Sequence, residues 1–166
     1  MTGLTSEGAG VCRIGGRAVF VPRALPGETW RVRIVKVTKT VVYGRGEECL
    51  SASPERTEPN CPNFGRCGGC NLMHMSYAAE LQMKLDRVND ALRRIGGTDV
   101  RAERILGSEC VEGYRNKAIY AVGEGENGPV AGFYRSGSHD IIPAPDCLLQ
   151  SDEASKCAGA VIDWMR

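Results

Sequence analysis

The chain reads as mostly β with some α: a small OB-like barrel over residues 1–53, followed by an α+β domain over residues 54–166. Three observations predict this. From Gly10 to Ser51 the sequence runs in short segments rich in Val, Ile, Thr and aromatics, with turn punctuation at Gly15-Gly16 and Pro26-Gly27. One long helical pattern follows Ser76 and stands apart from the β-like segments on either side of it. Charge divides the chain in the same place. Residues 1–52 hold eight Lys/Arg against four Asp/Glu, and residues 53–166 hold thirteen against sixteen, so the formal net charge of +1 conceals a basic N-terminal module.

Taken in order, Arg17–Pro22, Thr29–Val37 and Thr40–Glu47 read as strands. In the second of these, Trp30, Val32, Ile34 and Val37 are expected to face inward, interleaved with Arg31, Arg33, Lys36 and Lys39 on a basic outer face. Several such strands closing on one another make a small barrel of a kind that commonly binds nucleic acid on its open face. Ser76 is placed to cap a helix whose apolar residues Leu81, Leu85, Val88, Leu92 and Ile95 recur at alternating intervals of four and three, a core stripe ended by Gly96-Gly97. Strand character returns at Arg115–Val122, Val130–Tyr134 and His139–Ile142, the first two joined by the turn-rich GEGENGP. A final amphipathic stretch, Asp152–Arg166, begins a helix and runs to the last residue, as a truncated chain would.

The chemistry concentrates in the run CPNFGRCGGC, which places Cys61, Cys67 and Cys70 within ten residues. Gly68-Gly69 lets the backbone turn tightly enough for Cys67 and Cys70 to face one centre and lets N–H groups approach sulfur without a Cβ in the way. Cys147, in the Pro-flanked segment PAPDCLLQ, is the natural fourth ligand. Four thiolates suit tetrahedral zinc or a cubane 4Fe-4S cluster. Structural zinc usually pairs two short knuckles, so this three-plus-one layout leans toward iron and sulfide. His74 and His139 complete no ligand pair at finger spacing and read as structural or RNA-contacting. Cys12, Cys49, Cys110 and Cys157 are isolated and read as buried bystander thiols.

These cysteines, with GRAVFVPRALPGETWRVRIVKV (Gly16–Val37), GYRNKAIY (Gly113–Tyr120) and GFYRSGSHDIIP followed by DCLLQ (Gly132–Gln150), resemble the iron-sulfur subgroup of the RNA uracil-5-methyltransferases, whose bacterial members modify 23S ribosomal RNA. The resemblance implies that the N-terminal barrel is a TRAM domain that binds RNA, through a face bearing Arg31, Arg33, Lys36 and Lys39. It implies a central domain carrying a 4Fe-4S cluster on Cys61, Cys67, Cys70 and Cys147. It further implies that Arg115, Asn116 and Lys117, with Arg135, Ser138 and His139, line the cleft that receives the RNA strand and a flipped uridine. The cluster's first role there is architectural, since methyl transfer needs no electron.

Methylating C5 of uracil requires a thiolate that adds to C6, a base that removes the C5 proton, and a pocket for S-adenosylmethionine. By resemblance all three belong to a C-terminal domain beyond Arg166, so no catalytic residue is assigned and the 166 residues alone are expected to be inactive. GEGENG at Gly123–Gly128 lacks the strand-to-helix setting of a nucleotide-binding loop. No basic-then-apolar leader and no run of about 18 apolar residues is evident, which predicts a cytoplasmic protein with no membrane association. Eight cysteines in such a compartment favour metal ligation over disulfides. The expected partner is RNA, 23S rRNA first, and the expected state a monomer. Two other readings remain open: a non-catalytic RNA-binding module, and a zinc-bound structural adaptor.

Overall fold

The computed structural model describes all residues from Met1 to Arg166 and contains two sheets and two long helices. The chain divides into two compact units that alternate along the sequence. The first holds Met1–Glu58 and Asn71–Gly107; the second holds Pro59–Cys70 and Ser108–Arg166.

In the first unit β1 (Gly3–Leu4), β2 (Ala9–Ile14), β3 (Arg17–Pro22), β4 (Thr29–Val37) and β5 (Val41–Ser51) form one sheet in the order β1-β2-β3-β5-β4. Every pairing is antiparallel except β3 with β5, which run parallel. Val19, Val21, Ala24 and Val42 make the core, with Met1, Cys12, Trp30 and Val32 packed against it. Two of the four residues expected inward on β4 lie outside: Ile34 and Val37 are 48% and 56% exposed. The physical reason is that β4 pairs with β5 through three register shifts, one of them between Ile34 and Lys36. Each bulge inserts a residue and breaks the strict two-residue alternation on which the expectation rested.

A buried carboxylate pins the end of this sheet to the segment after it. Glu28 is 1% exposed. Its oxygens accept from Leu25 N–H at 2.8 Å, Trp30 Nε1 at 2.7 Å, Ser53 N–H at 3.2 Å and Arg56 Nε and Nη2 at 2.5 and 2.8 Å. Arg56 also lies over the Trp30 ring, 5.4 Å from its centroid. His74, 1% exposed, is held in the same unit with its carbonyl accepting from Thr57 N–H. Its burial makes it a structural residue and removes it from any RNA surface.

The helix α1 (Tyr77–Arg94) starts as the sequence requires, Ser76 Oγ accepting from Ala79 N–H at 3.2 Å. Its apolar stripe is not core, however. No residue of α1 is buried, and Val88 and Ile95 are 50% and 87% exposed. An extended stretch runs beside the helix: the Asn89 side chain exchanges two hydrogen bonds with the Ala102 backbone, and Leu81 and Tyr77 lie against Gly107.

The second unit contains an antiparallel sheet of β6 (Ala121–Gly125), β7 (Gly128–Tyr134) and β8 (Ile141–Pro143), with α2 (Asp152–Met165) packed on β7. Ile142, Ala144, Leu149 and Ile162 are its buried apolar residues, and the Tyr120 ring lies 4.9 Å from that of Phe133. GEGENGP is the expected hairpin, but the strand expected from Arg115 starts only at Ala121. Residues before it bond elsewhere: Gly113 N–H and Arg115 N–H donate to the carbonyls of Leu148 and Leu149 at 2.7 and 3.0 Å. A backbone that spends its hydrogen bonds on a loop cannot also extend a hairpin ladder.

Candidate functional site

Three loops of the second unit meet around the cysteines. The run from Pro59 to Cys70 is laced to the β7–β8 connection by Gly68 N–H to Tyr134 O at 2.9 Å, Ser136 N–H to Arg66 O at 3.3 Å, and the bridge between Cys67 and Arg135. Asn63 Nδ2 donates to Pro143 O at 2.9 Å. A Cβ on Gly68 would stand 3.1 Å from Tyr134 O, a tight contact that any larger residue would have to relieve by shifting the backbone. The segment bearing Cys147 turns back on itself, Gln150 N–H donating to Cys147 O at 3.1 Å, and is tied to residues 113–115 by the bonds described above.

These ties hold the loops that carry the four thiols predicted from sequence within one unit. Burial pushes the Cys70 thiol up to about 11, with Cys67, Cys147 and Cys61 adding to the effect and Arg115 opposing it. One sulfur already accepts from backbone, Gly69 N–H to Cys67 Sγ at 3.3 Å. All four thiols are free and partly buried. No group of three or more His, Cys, Asp or Glu side chains is arranged to hold a metal ion. Cysteine sulfur is nonetheless the donor type that suits a soft metal. Of the other cysteines, Cys110 and Cys157 are exposed rather than buried; Cys12 and Cys49 are half-buried.

The residues expected to face RNA in this unit are placed unevenly. Arg115 is half-buried, and its Nη2 makes a long 3.4 Å contact to Gly69 O beside the thiols. Asn116 and Lys117 are exposed. Arg135 pairs with Asp140 at 3.4 Å, and exposed His139 meets the Tyr134 ring edge-on at 5.2 Å.

On the N-terminal sheet two of the expected cations are already engaged. Arg31 pairs with Glu48, and Arg33 with Glu47 at 2.5 Å. Lys36 and Lys39 are exposed, Lys36 standing opposite Tyr43 in the β4–β5 register. A second feature of this face was not anticipated. The parallel pairing sets Phe20 opposite Tyr43, their rings 5.8 Å apart on the side away from the valine core. They line a groove of about 700 Å³ with Arg23, Val35, Arg45 and Glu7. The β3–β5 pairing, which joins Phe20 to Tyr43 across 23 residues of sequence, brings these groups together, and no local pattern encodes it.

Comparison with known proteins follows the same division. Residues 1–46 match the TRAM domain family. Over 98% of its length the chain is 47% identical to a protein named as an RNA methyltransferase in Halalkalibacterium halodurans, covering 36% of that protein. It is 38% identical over 99% of its length to one so named in Clostridium tetani, again covering 36% of it. The chain thus spans about a third of the length of the curated relatives it matches. Among solved structures, the Pyrococcus abyssi tRNA (uracil-54, C5)-methyltransferase in complex with S-adenosyl-L-homocysteine shares the fold, with a TM-score of 0.56 at 20% identity over 96% of this chain and 37% of that one.

Proposed function

We propose that this chain is the RNA-recognition and cluster-bearing part of an S-adenosylmethionine-dependent RNA uracil-5-methyltransferase that makes 5-methyluridine in 23S rRNA. The observation that carries the reading is the similarity, along nearly the whole chain, to proteins named RNA methyltransferases, beginning with a TRAM domain. Residues 1–53 serve as the RNA-binding barrel and residues 54–166 as the central domain, although residues 71–107 of the latter belong to the first compact unit. The gathering of Cys61, Cys67, Cys70 and Cys147 supports the cluster. Those four residues would hold a 4Fe-4S group, which supplies a rigid, polarising centre joining three loops. The chain's own residues do the rest. Gly69 N–H donates to the Cys67 sulfur, the Gly68 backbone seats the loop on Tyr134, and Arg115 places positive charge next to Cys70. Exposed Asn116, Lys117 and His139 offer donors to an RNA strand on the same unit. Methyl transfer itself is assigned to residues outside these 166.

The test is the 5-methyluridine content of 23S rRNA, measured by mass spectrometry, in cells with and without the intact gene. Loss of one modified uridine on deletion, restored by the whole gene, is the expected result. Unchanged 5-methyluridine in rRNA, with loss in tRNA instead, would overturn the ribosomal assignment. The purified 166-residue chain, given tritiated S-adenosylmethionine and unmodified 23S rRNA, should incorporate no label.

A further inference from the structure

The TRAM match makes the N-terminal unit an RNA-binding candidate but says nothing of which face carries the RNA. The basic strand β4, the obvious choice from sequence, is weakened by its own neighbours. Arg31 and Arg33 are paired with Glu48 and Glu47 on β5, so acidic side chains lie beside the basic ones on that strand. The groove on the β3 and β5 side has a different composition.

Inside the sheet Val19, Val21 and Val42 form the core, so Phe20 and Tyr43, alternating with them, stand on the opposite face. Tyr43 is 44% exposed. An aromatic pair that contributes nothing to the core and leaves one ring open to water is an unusual use of two large side chains in a small unit. Cations surround it. Lys36 is the register partner of Tyr43 across β4, and Arg45 lines the groove two residues along β5. Arg23 lines the same groove from the end of β3, against a single acid, Glu7. Arg23 is also the one non-glycine residue at positive φ, 63°, and its carbonyl is held by Arg56 Nη2 at 2.7 Å. The Glu28–Arg56 pair thus reaches the backbone that presents Arg23, which is held at positive φ. The register shift between Ile34 and Lys36 places Val35 in the groove wall beside Tyr43.

We propose that Phe20 and Tyr43 form the platform on which one unpaired base of a single-stranded RNA stacks, with Arg23, Arg45 and Lys36 taking the phosphates on either side. The chemistry is that of single-strand readers in general: an aromatic face for any base, and cations spaced along the backbone. A groove of about 700 Å³ lies within the range of small-ligand clefts and accommodates a nucleotide. The inference rests on the reading that this chain binds RNA and adds where, and by what contact, it does so.

The experiment uses the 166-residue chain and a short oligouridine RNA carrying one central 2-aminopurine. Wild type should bind and quench the 2-aminopurine. Tyr43→Leu should abolish the quench and weaken binding about five-fold to a hundred-fold, with the dependence on salt unchanged, because a stacking contact and not a charge has been removed. Tyr43→Phe should behave as wild type, which separates loss of the ring from loss of the fold. Arg23→Ala with Arg45→Ala should keep the quench and flatten the slope of log K against log salt by about 1.4. If Tyr43→Leu binds and quenches like wild type, the platform is elsewhere and the RNA-binding reading still stands. If wild type binds no single-stranded RNA, both fail. If instead wild type dimerises in sedimentation and Tyr43→Leu does not, the face is a protein contact and the inference is overturned.

Discussion

Glu28 is a carboxylate with donors from four residues and 1% exposure to water. Burial alone would raise its pKa, but the hydrogen bonds from Arg56, the Leu25 N–H, Trp30 and the Ser53 N–H outweigh that and hold it down at about 2. His74 moves in the complementary way. Burial, helped by the charge of Arg56, lowers it to about 4, so it is neutral in the folded protein at pH 7. Both folded values lie below the unfolded ones, so in each case the unfolded state binds the extra proton first as acid is added. The His74 contribution is full above pH 6.5 and is lost as pH falls toward 4; that of Glu28 is full above 4.5 and is lost toward 2. We therefore expect chemical-denaturant stability of the first unit to decline in two stages below pH 6.5. The Glu28 stage amounts to about 3 kcal/mol. Glu28→Gln should remove that stage and, by leaving Arg56 without its carboxylate, cost about 3 kcal/mol at neutral pH. None of this was legible in the sequence. Glu28 stands after Gly27 in a turn-like run, and two of its partners, Ser53 and Arg56, lie 25 and 28 residues away.

At the scale of elements the reading succeeded where the signal was local and failed where it depended on neighbours. Strands at Arg17–Pro22 and Thr29–Val37, the Ser76 cap and the glycine hairpin are local matters of propensity and turn chemistry, and they stand where the sequence placed them. The inward set on β4 and the α1 stripe depended on bulges and on what covers a helix, which periodicity does not report. Close approach of backbones is likewise invisible until strands are paired. A Cβ on Gly132 would come within 2.0 Å of Ile142 O across the β7–β8 pairing, and there is no flexible side chain to yield. Gly132→Ala should therefore destabilise the second unit by about 3 kcal/mol or more, while Gly159→Ala, whose Cβ would meet nothing within 4 Å, should be neutral or slightly stabilising. Thermal unfolding of the two variants checks the contrast. The cysteine loop makes a parallel prediction. Cys67→Ser or Cys70→Ser should bleach anaerobically prepared protein from about four irons to none, whereas Cys110→Ser, exposed and outside the group of four, should leave the colour intact. Stoichiometric zinc without acid-labile sulfide would defeat the cluster.

For the molecule as a whole, all four candidate ligands belong to the second unit, while the valine core and the Glu28 centre belong to the first. Removal of the proposed cluster should be felt unequally. After chelation, amide exchange should quicken across residues 59–70 and 113–150, and the amides of Val19, Val21 and Val42 should keep their protection. Equal acceleration in both sets would show that the cluster supports the entire chain. No helix is long and apolar enough to cross a membrane, consistent with the absence of any long apolar run. The alternation of units was the least legible feature of all: charge and composition change once, near residue 53, whereas the backbone leaves the first unit at Pro59 and returns to it at Asn71.

That excursion sets a timetable for synthesis. Cys61, Cys67 and Cys70 leave the ribosome together, but the fourth thiol follows 77 residues after Cys70, behind an entire helix that belongs elsewhere. At about 5–20 residues per second, three of the four sulfurs wait for roughly 4–15 seconds with neither the Tyr134 strand nor the Cys147 turn to shelter them. The nascent chain is therefore most vulnerable to peroxide during its own elongation, before the partners that shelter these thiols in the folded unit have been made.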